Sequence, residues 1–107
     1  MAGIFSVQFF SVAGGTNATY TVPAGSTAVL RHLAIFNVDS GSDHRYQLNE
    51  ATGGVVLVLG RCPPYTNVPG VLSTLLDVRI VLKGGQQLRS YNDAGINMTA
   101  SGYLFSA

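Results

Sequence analysis

Apolar positions along the chain come in short β-rich runs, broken by clusters of Gly, Asn, Asp, Pro and Ser. The breaks recur every ~8–12 residues, as in an all-β domain. A helical period never persists beyond about one turn. Ile4–Val12 is the first run, followed by a turn at Gly14-Gly15-Thr16-Asn17. Ala18–Val22 is short and ends in Pro23-Ala24-Gly25, where proline presets φ for a turn and glycine two residues on can take positive φ. Thr27–Val38, His44–Asn49 and Val55–Leu59 follow, separated by Asp39–Asp43 and Ala51–Gly54. Val71–Leu76 and Val78–Leu82 are two strands or one bent strand, and Lys83-Gly84-Gly85-Gln86 reads as a hairpin turn. Gln87–Tyr91, Ile96–Ala100 and Tyr103–Phe105 close the chain, with Gly102 marking a bulge or bend. This pattern predicts one domain over residues 1–107: an antiparallel β-sandwich or jelly roll of eight or nine short strands.

Two segments carry more apolar residues than a simple sandwich needs. Strict alternation puts Val29, Arg31, Leu33, Ile35 and Asn37 on one face of the longest strand, and Leu30, His32, Ala34, Phe36 and Val38 on the other. A strand apolar on both faces is covered on both, so the second face is expected to meet another subunit. Val55–Leu59 reads as a buried strand. Phe5, Phe9 and Phe10 are many for one core face. Either all three fit a compact core, or segment 1–12 packs on a neighbouring subunit, as an added strand would. Residues 60–70, with prolines at 63, 64 and 68, form the longest irregular segment, and loops of that length are often functional.

Composition sharpens this. Charged residues make up 10% of the 107, against about 25% in an ordinary soluble domain. The mean hydropathy is +0.30. A disordered tail needs the opposite balance. A net charge of +1 leaves no electrostatic footprint for nucleic acid. No apolar run approaches the ~18 residues of a membrane-spanning helix. With a single Lys, Lys83, and a single Glu, Glu50, the surface is either neutral and hydroxyl-rich or covered by other chains. The depletion of charge favours cover by other chains. One cysteine, Cys62, excludes an intrachain disulfide and reads as a semi-buried loop residue. No Lys or Arg precedes Arg31, so the N-terminus lacks the basic region of a signal peptide. Two N-x-T triplets, at Asn17 and Asn97, matter only in a secreted eukaryotic chain.

Candidate chemistry is sparse. His32 lies mid-strand among apolar neighbours and reads as a hydrogen-bonded side chain at a subunit face, and His44, beside Asp43, as a solvent-exposed turn residue. Asp39 and Asp43 are spaced as in a calcium loop, but its glycine and closing glutamate are missing. No zinc spacing, nucleophile elbow or phosphate loop is present, and nothing beyond their existence supports Glu50 and Asp77 as a catalytic pair. The expectation is no enzyme, no cofactor and no metal. Arg31 needs a carboxylate or carbonyl partner. Tyr46, Tyr65 and Tyr91 suit either protein docking or a sugar-binding face.

Tyr20-Thr-Val-Pro-Ala-Gly-Ser-Thr-Ala-Val-Leu-Arg31, then Val81-Leu-Lys-Gly-Gly-Gln-Gln-Leu-Arg89, then Ile96-Asn-Met-Thr-Ala-Ser-Gly-Tyr-Leu104 form an ordered series. The series resembles the small β-sandwich virion proteins of tailed bacteriophages, over residues ~20–105, although Gln86 stands where such proteins more often carry Asp. The resemblance implies a non-enzymatic capsid decoration protein, or a tail or neck component, in the virion and assembled in the host cytoplasm. Its partners are itself, as a trimer or higher oligomer, and a major capsid or other virion protein, with no nucleic acid or membrane. The alternative is a carbohydrate-binding sandwich used in host adhesion. The expected contact residues are Phe5, Phe9, Phe10, His32, Phe36, Pro63, Pro64 and Tyr65.

Overall fold

The computed structural model describes residues 3–13, 16–39, 41–63 and 74–106. They form eight strands: β1 (Gly3–Val12), β2 (Thr19–Thr21), β3 (Ser26–Asn37), β4 (His44–Glu50), β5 (Val55–Cys62), β6 (Thr74–Lys83), β7 (Gln87–Ser90) and β8 (Ile96–Ser106). Two antiparallel four-stranded sheets face each other, sheet A in the order β1-β8-β3-β6 and sheet B in the order β2-β7-β4-β5. The pairing is nested: Gly3 lies opposite Ser106, Thr19 opposite Arg89, Thr27 opposite Lys83 and His44 opposite Cys62. The chain is one long ribbon folded back at residues 51–54 and rolled into two layers.

The core lies between the sheets. Leu30, Leu33, Ile35, Ile96 and Met98 from sheet A meet Leu48 and Leu88 from sheet B, all fully buried. Burying each such side chain contributes roughly 1.5–3 kcal/mol. On β6 the expected alternation holds, with Ile80 and Leu82 inward and Arg79, Val81 and Lys83 exposed.

Two bulges change the predicted faces. Register slips between Gln8 and Phe10 on β1, so Phe9 has no partner on β8. Two consecutive phenylalanines can then both turn inward, and Phe9 and Phe10 are both buried. The ring of Phe9 sits 4.9 Å from that of Tyr20. On β3 the slip falls between Leu30 and His32. Leu30 and Leu33 therefore both point inward, and the strict alternation read from the sequence fails at Arg31. The Arg31 Nε atom is buried without a hydrogen-bond partner among the described residues.

The bulge on β3 also explains Gly102. A Cβ there would collide with the Val29 carbonyl oxygen. Glycine lets the two backbones approach, and β8 runs unbroken through it. The predicted break between Ala100 and Tyr103 is absent because the partner strands absorb the irregularity. Thr74–Lys83 is likewise a single strand. Lys83–Gln86 is a turn, with the Gln86 N–H donating to the Lys83 carbonyl at 3.0 Å. It is not a hairpin, because β6 and β7 belong to different sheets. At Pro23–Gly25 the turn forms as expected, with Gly25 at φ 79°.

Glu50 is buried at the tip of the ribbon. Its carboxylate accepts from the Thr52 hydroxyl (2.6 Å) and from the N–H groups of Gln87 (2.9 Å), Thr52 (3.1 Å) and Gly53 (2.7 Å). These donors, the Thr52 hydroxyl first, hold its pKa down at about 2. The carboxylate thereby ties the 51–54 turn to β7. At the other end of β4, the Asn37 amide reaches the carbonyls of Ser42 (2.8 Å), Cys62 (3.2 Å) and Pro63 (3.1 Å). This fixes the loop between β3 and β4 against the end of β5.

Candidate assembly surface

An open sheet edge presents unpaired backbone N–H and C=O groups, and natural proteins guard such edges with charge, proline, bulges or short strands; β1 and β5 each carry a bulge, at Phe9 and Leu57. The four edges here are guarded unequally. β6 alternates Asp77, Arg79 and Lys83 on its exposed side. β2 offers only three residues. β1 carries no charge and no proline over its ten residues, with Ile4 66% and Phe5 53% exposed. β5 has one charge, Arg61 near its end, while Val55, Val56 and Leu59 are exposed, Leu59 at 60%. The expectation of a buried Val55–Leu59 strand is thus corrected. β5 is an edge, open along one side, and only Leu57 and Val58 of the run are half-buried.

The open edges lie on opposite sides of the sandwich. β1 packs over β2 through Phe9 and Tyr20. β5 adjoins β6, where the Cys62 and Thr74 side chains meet at 3.6 Å. Cys62 is fully buried at the end of a strand, not in a loop.

The outer face of sheet A is built in rows. Ile4, Phe105, Thr27 and Lys83 form one, then Ser6, Tyr103, Val29 and Val81, then Gln8, Ser101, His32 and Asp77. In the first two rows Ile4, Phe105, Tyr103 and Val81 are exposed, beside the polar Ser6 and Lys83. In the third, His32 Nδ1 pairs with Asp77 Oδ1 at 2.7 Å, with both side chains more than half exposed. A shallow concavity of about 370 Å³, lined by Ser6, Gln8, His32, Ser101 and Tyr103, lies beside this row.

The residues singled out in the sequence are dispersed. Phe5 is exposed on edge β1, while Phe9 and Phe10 are buried by their own chain. His32 and the half-buried Phe36 lie on sheet A. Pro63 is exposed just beyond β5, and Pro64 and Tyr65 lie outside the described residues. Sequence reasoning missed Ile4, Val56, Leu59, Val81, Tyr103 and Phe105. The absence of charge from β1 was the available signal.

His44 is half-buried rather than solvent-exposed, and its Nε2 bonds Asp39 Oδ2 at 2.8 Å. The Gly41 N–H, then His44, lower the Asp39 pKa. No group of three or more His, Cys, Asp or Glu that could hold a metal occurs among the described residues. Tyr46 is buried with its ring against Gly60, and offers no face to a sugar. Tyr91 is half-buried, with the Arg89 guanidinium 5.4 Å from its ring centroid.

No family profile and no curated protein matches the sequence. The fold does have solved counterparts. The core of Drosophila NLP, described in terms of pentamer formation and histone binding, superposes with a TM-score of 0.59 at 8% identity, over 94% of this chain and 96% of that one. A pentameric capsid protein from metagenomic phage sequences gives a TM-score of 0.50 at 17% identity, over 90% of this chain and 59% of that one. The chain therefore spans less than two thirds of that capsid protein. At these identities the likeness is one of fold.

Proposed function

We propose that this chain is a non-enzymatic structural protein of a phage virion that works as a symmetric homo-oligomer, most concretely as a capsid decoration protein bound to a major capsid protein. The observation that carries the reading is the pair of edges almost free of charge, β1 and β5, each flanked by exposed apolar side chains. Such edges in a lone soluble domain invite aggregation, whereas repeated copies cover them. The charge content of 10% agrees, since subunit contacts deplete charge. The strand order β1-β8-β3-β6 against β2-β7-β4-β5 is read as a jelly roll, an architecture used by viral capsid and lectin domains. A pentameric phage capsid protein shares the fold, which supports the assignment to a virion assembled in the host cytoplasm. Histones are strongly basic, and five acidic residues against six basic ones give no acidic surface for them. That disfavours the role described for Drosophila NLP. The sugar-binding alternative loses Tyr46, one of its three candidate rings, to burial.

The test is the absolute mass of the purified protein by light scattering coupled to size exclusion. A discrete trimer, pentamer or hexamer is expected. A monomer at all concentrations overturns the self-assembly reading.

A further inference from the structure

We infer that copies of this chain join head to tail, with edge β5 of one copy running along edge β1 of the next. The inference rests on the self-assembly reading above and names its contact.

An open edge is satisfied by another open edge, because each brings the backbone donors and acceptors that the other lacks. This chain has four edges, and two of them are ill suited to the role. β6 would carry Asp77, Arg79 and Lys83 into the contact, and placing them beside Ile4 and Phe5 would strip water from charges without supplying partners. β2 is three residues long and can form only a few bonds.

β1 and β5 remain. β1 carries no charge, and β5 none from Val55 to Gly60. They are comparable in length, ten residues and eight, and both expose large apolar side chains. They belong to different sheets and to opposite sides of the sandwich.

That placement selects the symmetry. A two-fold contact of β1 with β1 would use the same edge on both copies and leave β5 open. A β5–β5 contact would leave β1 open. Head-to-tail contact uses one edge of each kind per copy, and a rotation that closes leaves neither exposed. Every subunit in such a ring gives β5 to one neighbour and β1 to the other.

The test uses Ile4→Lys and Leu59→Lys, at positions 66% and 60% exposed, so that the fold is retained. Each variant alone is expected to be monomeric by light scattering, with wild-type far-UV circular dichroism. Mixed in equal amounts, the two are expected to give a dimer, because the intact β5 of Ile4→Lys meets the intact β1 of Leu59→Lys. A variant that keeps wild-type mass, or forms a dimer by itself, overturns the inference, as does a mixture that stays monomeric. Hydrogen exchange on the wild-type oligomer is independent of any substitution. Outward-facing amides of β1 and β5 should exchange more slowly than those of β6, and equal rates overturn the contact. A monomeric wild type sinks the self-assembly reading and this one together. An oligomeric wild type with a failed mixture sinks only this one.

Discussion

The two sheets treat their outer faces differently. Sheet B turns Thr19, Thr21, Arg45, Gln47, Asn49, Gln87 and Arg89 outward, the usual dress of a solvated sheet, and only its edge β5 breaks the pattern. Sheet A turns Ile4, Phe105, Tyr103, Val29 and Val81 outward at one end. Its strands β1 and β8 hold no charged residue. The charge-free surface is therefore local, concentrated on β1, β8 and the Val55–Gly60 part of β5, while β3 and β6 of the same sheet A carry Arg31, Asp77, Arg79 and Lys83. Isolated surface apolar residues are ordinary, but contiguous ones mark contacts.

The sharpest test of this contrast sets the buried face of sheet A against the exposed one. Leu33→Ala, under the sheet, should cost about 2–5 kcal/mol in urea denaturation. Leu75→Ala, on the outer side of the same sheet, should stay within about 0.5 kcal/mol. Equal losses would mean that the outer face is packed too.

Acid acts next, and through sheet B. The Glu50 pKa is lowered from 4.5 to about 2. Its contribution is complete above the unfolded value and is lost as pH falls through that interval toward about 2. Glu50→Gln should lower the melting temperature at neutral pH and flatten the acid limb of the stability profile. An unchanged limb would show that the carboxylate does not anchor the turn.

Charges placed on the two outer faces should separate assembly from stability. Tyr103→Lys and Phe36→Asp on sheet A should reduce the mass in solution while the far-UV spectrum is retained. Arg89→Glu on β7 of sheet B, two strands from β5, should change neither. A loss of mass in the sheet B variant would erase the distinction. The smallest effect belongs to the exposed His32–Asp77 pair. Asp77→Asn should shift stability by at most about 1 kcal/mol, as exposed pairs do, and thermal melts would detect more.

Much of the fold was legible because period-two alternation and Gly/Pro turns are local signals. β4, β7 and the Pro23–Gly25 turn fall where the pattern put them. The faces were less legible. Inserting Phe9 or Arg31 as a bulge flips every later side chain on its strand, and a bulge leaves no mark in hydropathy. The β5 edge was not legible at all. Val55–Leu59 has the composition of a buried central strand, and only the sheet order reveals that its far side is open. The Lys83–Gln86 turn failed as a hairpin for the same reason, since adjacency in sequence does not decide which layer a strand joins. Of the expected contact residues, Phe5 reached an edge because β1 is one, whereas Phe9 and Phe10 were taken up by the core.

The nested ribbon also spreads its strand pairings over very different loop lengths. Joining β4 to β5 closes a short loop at residues 51–54, whereas joining β1 to β8 brings Gly3 to Ser106 across nearly the whole chain. Loop-closure entropy and contact order make such distant pairing late and slow. Within sheet A, β1 pairs with β8, which pairs on its other side with β3. By loop length alone, the β1–β8 pairing is the costliest closure in the chain. A chain built this way completes its two open edges at opposite extremes of loop closure, β5 across a short turn at residues 51–54 and β1 across nearly the whole chain.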